Sequence, residues 1–233
     1  MMRRLAIAAA LSAAACGSSE VAPAQSQTAA PRATTAPAAA STPAAAPAAA
    51  RQRIVILGDS LTAGLGLDPD QAFPGRLQEK IDAERLPYDV SPAGVSGDTS
   101  AGGLSRLDWA LADTPRLLIL ALGANDGLRG LPVDELKRNL STIIERAQAR
   151  QITVVLAGME SPPNFGRDYT SAFHQVYPDL ARTYKVPLIP FLLQDVAGIE
   201  RLNQRDGIHP NEDGARLVAD NVWTVLRPLL TAS

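Results

Sequence analysis

Four short blocks of this sequence carry side chains that could do chemistry together: Gly58-Asp59-Ser60-Leu61, Gly94-Val95-Ser96-Gly97-Asp98-Thr99, Gly123-Ala124-Asn125-Asp126 and Asp206-Gly207-Ile208-His209-Pro210. They supply a hydroxyl, an imidazole, several carboxylates, a carboxamide and backbone opened by glycine, which are the parts that acyl transfer requires. Ser60 is a weak nucleophile until a neighbouring base removes its proton. The chain has 2 histidines. His174 falls inside a helical stretch, where a surface or packing role is the simpler reading. His209 falls in a loop three residues after Asp206, a spacing that lets a carboxylate hold one ring nitrogen while the other faces Ser60. Asp59, Asp98 and Asp126 are rival partners for His209, although each also suits a turn or an N-cap. The candidate donors for a tetrahedral oxyanion are the Ser60 N–H at a helix start, the Gly97 N–H and the Asn125 amide. Gly97 lacks a Cβ, so its backbone can come close to a substrate.

The hydrophobic pattern indicates what must position these blocks. Residues 53–57 and 116–122 read as buried strands, and 152–157 and 187–191 as two more. Residues 89–93 read as a weaker strand, with Pro92 pointing to a sheet edge. Helical spacing covers 73–85, 132–147, 169–184 and 211–230, and 99–113 is mixed but compatible with helix. Pro178 predicts a kink in the third of these. Strand–helix alternation repeated five times implies a parallel sheet with helices on both faces. In such sheets ligands gather at the carboxyl ends of the strands, where three of the four blocks begin.

The first 50 residues are of another kind. They contain 22 Ala and 5 Pro and no aromatic residue. Arg3 and Arg4 precede an apolar or small run from Leu5 to Ala15 and then Cys16, the pattern of an export signal. Ala13-Ala14-Ala15-Cys16 is similar to a lipobox, so Cys16 is a candidate for lipidation. The same residues also fit ordinary signal cleavage. Residues 17–50 are almost without charge or large apolar side chains and read as a disordered tether. The expected organisation is a signal over 1–16, a linker over 17–50 and one domain over 51–233, exported to the cell envelope and membrane-anchored, or else secreted in soluble form.

Composition excludes several functions for that domain. Residues 51–233 hold 19 basic and 23 acidic side chains, a balance with no general attraction for nucleic acid. No apolar run beyond the N-terminus is long enough for a membrane span. The loop after the first strand has neither the P-loop pattern with its Lys nor Gly-x-Gly-x-x-Gly, which argues against a nucleotide or flavin module.

Taken in order, Ser60, Gly97, Asn125 and His209, with Asp206 as the acid, resemble the four blocks of the SGNH (GDSL) hydrolase family. The likeness runs from about Ile54 to Leu229. It is closest to the bacterial thioesterase I/lysophospholipase/arylesterase branch, through Ser96-Gly97-Asp98-Thr99-Ser100, the run from Gly123 to Gly130 and the run from Pro163 to Tyr169. The resemblance implies a flavodoxin-like three-layer αβα sandwich with a central five-stranded parallel sheet. It also implies hydrolysis of a small-molecule ester or thioester without metal or cofactor. Ser60, Asp206 and His209 would be catalytic, Ser60, Gly97 and Asn125 would form the oxyanion hole, and Pro163, Asn164, Phe165 and Gly166 would lie in a loop that adjusts around the acyl chain. The same triad would serve a glycan deacetylase, and a surface-anchored binding protein could keep the fold without catalysis. A monomer is the default expectation.

Overall fold

The structure, a computed structural model, describes residues 51–232. The signal, Cys16 and the tether lie outside the described residues. Strands β1 (Gln52–Gly58), β2 (Tyr88–Gly94), β3 (Leu117–Ala121), β4 (Thr153–Ala157) and β5 (Leu188–Ile189) form one parallel sheet in the order β2-β1-β3-β4-β5. Ile54 to Leu57 and Leu118 to Leu120 have no exposed surface. Helices cover both faces of these inner strands, so their sequence is continuously apolar rather than alternating. Register does the work that matters for function. Gly58 lies beside Gly94 on one side and Ala121 on the other, so the first three strands end at one level and release their loops together.

The helices are α1 (Ser60–Ala63), α2 (Phe73–Ala83), α3 (Ser100–Ser105), α4 (Leu107–Ala110), α5 (Ala124–Leu128), α6 (Val133–Ala149), α7 (Arg167–Tyr184) and α8 (Glu212–Thr231). Short 3-10 turns occupy Pro163–Phe165 and Glu200–Leu202. α2 packs on α8, while α6 packs on both α3 and α7, giving the two helical layers. α6 shows the sequence logic most clearly: Leu136, Leu140, Ile143, Ile144 and Ala147 form its buried stripe, and Asp134 and Glu135 sit where the helix dipole favours negative charge.

Three local expectations change. α7 continues through Pro178 as a single helix. The hydrogen bond that proline forfeits would have gone to the carbonyl of His174, an exposed residue. The 99–113 stretch divides at Arg106 into two short helices. β5 shrinks to two residues because Pro187 and Pro190 flank it and neither can donate to a ladder. Pro92 does mark an edge, since β2 pairs with β1 alone. No helix among the described residues is long and apolar enough to cross a membrane.

Candidate active site

From β1 the chain crosses outward to β2, then returns past β1 to form β3. The crevice between β1 and β3 is therefore the topological switch point, where open α/β sheets bind ligands. Ser60 follows β1 and Asn125 follows β3, one on each side of it. Asp59 caps the one-turn helix α1, its carboxylate accepting from the Leu61 N–H at 3.0 Å, and Gly64 closes the turn in the left-handed region. Ser60 is the first residue of that turn, so its own N–H has no acceptor within the helix.

Ser60 Oγ lies 2.9 Å from His209 Nε2, and His209 Nδ1 lies 2.6 Å from Asp206 Oδ2. The other Asp206 oxygen accepts from the backbone N–H of Ile208 and of His209, both at 3.0 Å. The hydrogen bond from the His209 ring, followed by these two N–H groups, holds the Asp206 carboxyl down to about 2. An ionised carboxylate can only accept, so Nδ1 carries the ring proton and Nε2 is free to accept from the Ser60 hydroxyl. Of the two histidines, His209 is the one at Ser60. His174 sits on the exposed face of α7, its Nδ1 2.6 Å from Glu160 Oε1.

The three rival carboxylates are engaged elsewhere. Asp98 binds Arg106 Nε at 2.6 Å. The same guanidinium donates to the carbonyls of Ala93 at 2.8 Å and Gly58 at 2.7 Å, tying the ends of β1 and β2 together. Asp126 accepts from Ser100 through both backbone N–H (2.8 Å) and hydroxyl (2.6 Å), and burial raises its pKa. Asp59 is fully buried and accepts from Asn125 Nδ2 at 3.3 Å. Burial pushes its carboxyl up to about 6, against the opposing pull of the Leu61 N–H and the Asn125 amide. Neither this role of Asp59 nor that of Arg106 was legible in the sequence.

Two glycines are required by their surroundings. Gly97 has φ +84 and its carbonyl accepts from Arg129 at 2.9 Å. Gly123, at φ +117 before α5, leaves the space taken by the Tyr177 hydroxyl, which a Cβ would approach to 2.1 Å. Tyr177 in turn donates to the Leu122 carbonyl at 3.1 Å.

Ser60, Gly97, Asn125 and His209 all border one cleft of about 730 Å³. Its walls are largely apolar, with Leu61, Leu65, Leu128, Leu193 and Ile208 among them. Leu65, Leu128 and Ile208 are more than 40% exposed although they are large and apolar, so the cleft presents apolar surface to solvent. Of the four loop residues expected to contact substrate, Pro163 borders the cleft, while Asn164, Phe165 and Gly166 do not. The Phe165 ring instead covers Gly130 and meets Tyr169 with centroids 5.3 Å apart, anchoring the loop from behind. The residues just before it, Glu160, Ser161 and Pro162, line the cleft in addition to Pro163. The sequence signal for them was their place directly after β4.

Residues 56–217 match the model of the GDSL-like lipase/acylhydrolase family. The chain belongs to that family. Among curated proteins it is 43% identical over 183 residues to "Esterase TesA" of Pseudomonas aeruginosa, covering 78% of this chain and 91% of that one. It is 39% identical over 184 residues to "Thioesterase 1/protease 1/lysophospholipase L1" of Escherichia coli K12, covering 78% and 87%. Among solved structures, AlinE4, described as an SGNH-hydrolase family esterase, superposes with a TM-score of 0.65 at 39% identity, over 78% of this chain and 98% of AlinE4. The GDSL-family fold and the resemblance drawn from the four blocks thus agree.

Proposed function

We propose that the protein is a serine hydrolase that cleaves carboxylic esters or thioesters of small molecules through an acyl-enzyme on Ser60. The observation that carries this reading is the continuous relay Ser60–His209–Asp206, with contacts of 2.9 and 2.6 Å, at the edge of an apolar cleft. The printed activities of the relatives, esterase, thioesterase and lysophospholipase, support the same class.

In the first half-reaction His209 Nε2 takes the Ser60 proton as Oγ bonds to the carbonyl carbon, and the carbonyl π electrons move onto oxygen. That oxyanion is received by the Ser60 N–H, the Gly97 N–H and the Asn125 amide. Collapse breaks the bond to the leaving alcohol or thiol, which takes the proton from His209. Water then repeats the sequence on the acyl-enzyme, releasing the carboxylic acid and restoring Ser60. Asp206 stays ionised throughout and stabilises the imidazolium. The acyl chain lies along the apolar wall, with the run from Glu160 to Pro163 bordering the same cleft.

The leader belongs to the same reading. Residues 1–16 direct export, Cys16 takes a lipid, and residues 17–50 tether the 51–233 domain, a monomer, to the bacterial cell envelope. Fractionation of cells carrying Cys16→Ala tests this, with release of the protein from membranes as the expected result.

The deciding experiment is hydrolysis of p-nitrophenyl acetate, butyrate, octanoate and palmitate by the purified protein and by Ser60→Ala. Activity confined to the wild type, with covalent labelling of Ser60 by a fluorophosphonate, is the expected outcome. Inert but folded wild type would overturn the reading in favour of a binding protein. A strict preference for acetate would move the substrate class to acetylated glycans.

A further inference from the structure

The cleft has one carboxylate among its lining residues that takes no part in the relay. We propose that Glu160, held by His174, sets the charge preference of the cleft, favouring esters that carry a cationic group over those that carry an anionic one. This rests on the ester-hydrolase reading above and concerns the substrates of the same site.

Glu160 is well placed for such a role because its backbone is fixed. Two residues earlier, Gly158 donates to the Ile189 carbonyl at 2.8 Å and accepts from the Leu192 N–H at 2.9 Å, which ties the end of β4 to the β5 region. Met159 between them is buried. The Glu160 side chain is then oriented by His174, with Nδ1 2.6 Å from Oε1. Among the described residues no Lys or Arg pairs with Glu160, whose side chain is 38% exposed and which borders the cleft.

Among the lining residues Glu160 is the one carboxylate, and no Lys or Arg is present. Asp206 and Arg129 stand outside the lining, the first held by His209 and the second donating to the Gly97 carbonyl. The remaining polar side chains of the lining, such as Ser60, Ser96, Asn125 and Ser161, carry no charge. A single negative charge beside low-dielectric walls acts on a bound ligand more strongly than the same charge in bulk water. It attracts a quaternary ammonium or other cationic group and repels a carboxylate or phosphate, which is discrimination by electrostatic complementarity.

Three butyrate thioesters vary the charge of the thiol: thiocholine (cationic), mercaptoethanol (neutral) and 3-mercaptopropionate (anionic). The thiols also differ as leaving groups, so the effect is read as the change in their ratio between wild type and variant. The expected order of kcat/KM for the wild type is cationic, neutral, anionic. Glu160→Gln should narrow the cationic-to-anionic ratio about tenfold, mostly through KM, and Glu160→Lys should invert it. Each charged thioester is compared with the neutral one in the same variant, so a general change in activity cancels from the ratio. Added salt should narrow the ratio for the wild type and leave Glu160→Gln unmoved. An unchanged ratio in Glu160→Gln, with the neutral thioester hydrolysed normally, would overturn the proposal. Failure of the wild type to hydrolyse any of the three, or the p-nitrophenyl esters, would instead overturn the ester-hydrolase reading beneath it.

Discussion

Asn125 Nδ2 donates to Asp59 Oδ2 across 3.3 Å, so the residue preceding Ser60 holds the amide on the opposite side of the switch point. The second Asp59 oxygen accepts from the Leu61 N–H at 3.0 Å. One buried carboxylate therefore sets both the start of α1, where Ser60 sits, and the direction of the Asn125 side chain. The ionised form is the stronger acceptor for both donors. In an Asn at this position, one of the two contacts would bring a donor against a donor.

Asp59→Asn should accordingly lower kcat about tenfold with little change in KM, the effect of disturbing one hydrogen bond that matters in the transition state. Asn125→Ala should cost more, about 10²–10³ in kcat, because it removes the amide proposed to receive the oxyanion. Steady-state kinetics on p-nitrophenyl butyrate give both numbers. Equal KM effects and no kcat effect would show that Asp59 supports only the local fold.

The pH dependence of stability separates the two aspartates by sign. Asp59 keeps its proton up to about 6 when folded, against an ordinary value of 3.8. Within that window the folded chain binds more protons than the unfolded one, so stability falls as pH rises through it, by about 3 kcal/mol in all. Asp206 is shifted the other way, from 3.8 to about 2. Its stabilisation is complete above the unfolded value and is lost as pH falls toward about 2. Urea midpoints measured across this range should lose the first slope in Asp59→Asn and the second in Asp206→Asn.

Arg106 joins Asp98, Ala93 and Gly58 through three contacts of 2.6 to 2.8 Å and is mostly buried. Arg106→Met keeps much of the volume but leaves a carboxylate and two strand-end carbonyls without their donor. A loss of about 3 kcal/mol in unfolding free energy is expected. Denaturant unfolding checks it, and a loss below about 1 kcal/mol would show that water replaces the guanidinium at little cost.

Leu128 and Ile208 border the cleft while remaining 41% and 45% exposed. An acyl chain lying against them would complete their burial, at about 25 cal/mol for each Å² of apolar surface covered. Leu128→Ser or Ile208→Ser should therefore reduce kcat/KM for octanoate about fivefold while leaving acetate nearly unchanged. Uniform loss across chain lengths would place the acyl chain elsewhere.

Much of this organisation is local in origin and so was open to a reading of the sequence. The buried strands β1 and β3 announce themselves because strands covered on both faces must be apolar at every position. The relay is legible because its geometry is partly local: Asp206 and His209 share one turn, and Ser60 opens a helix straight after a strand. The N-terminal 50 residues declare their composition with no structure at all. Asp59, Arg106 and Glu160 are different. Each acts through a partner 8 to 66 positions away. Asp59 and Arg106 gain their meaning when parallel register brings the ends of β1, β2 and β3 to one level, and Glu160 gains its own when α7 packs beside the end of β4. The sequence by itself determined the kinds of element, the order of the chemical blocks and which histidine could serve as base, because hydrophobic periodicity and short-range spacing are properties of the chain. Only tertiary structure decided which carboxylate faces which donor and which side chains line the cleft, because long-range packing and strand register bring together groups that no local pattern connects.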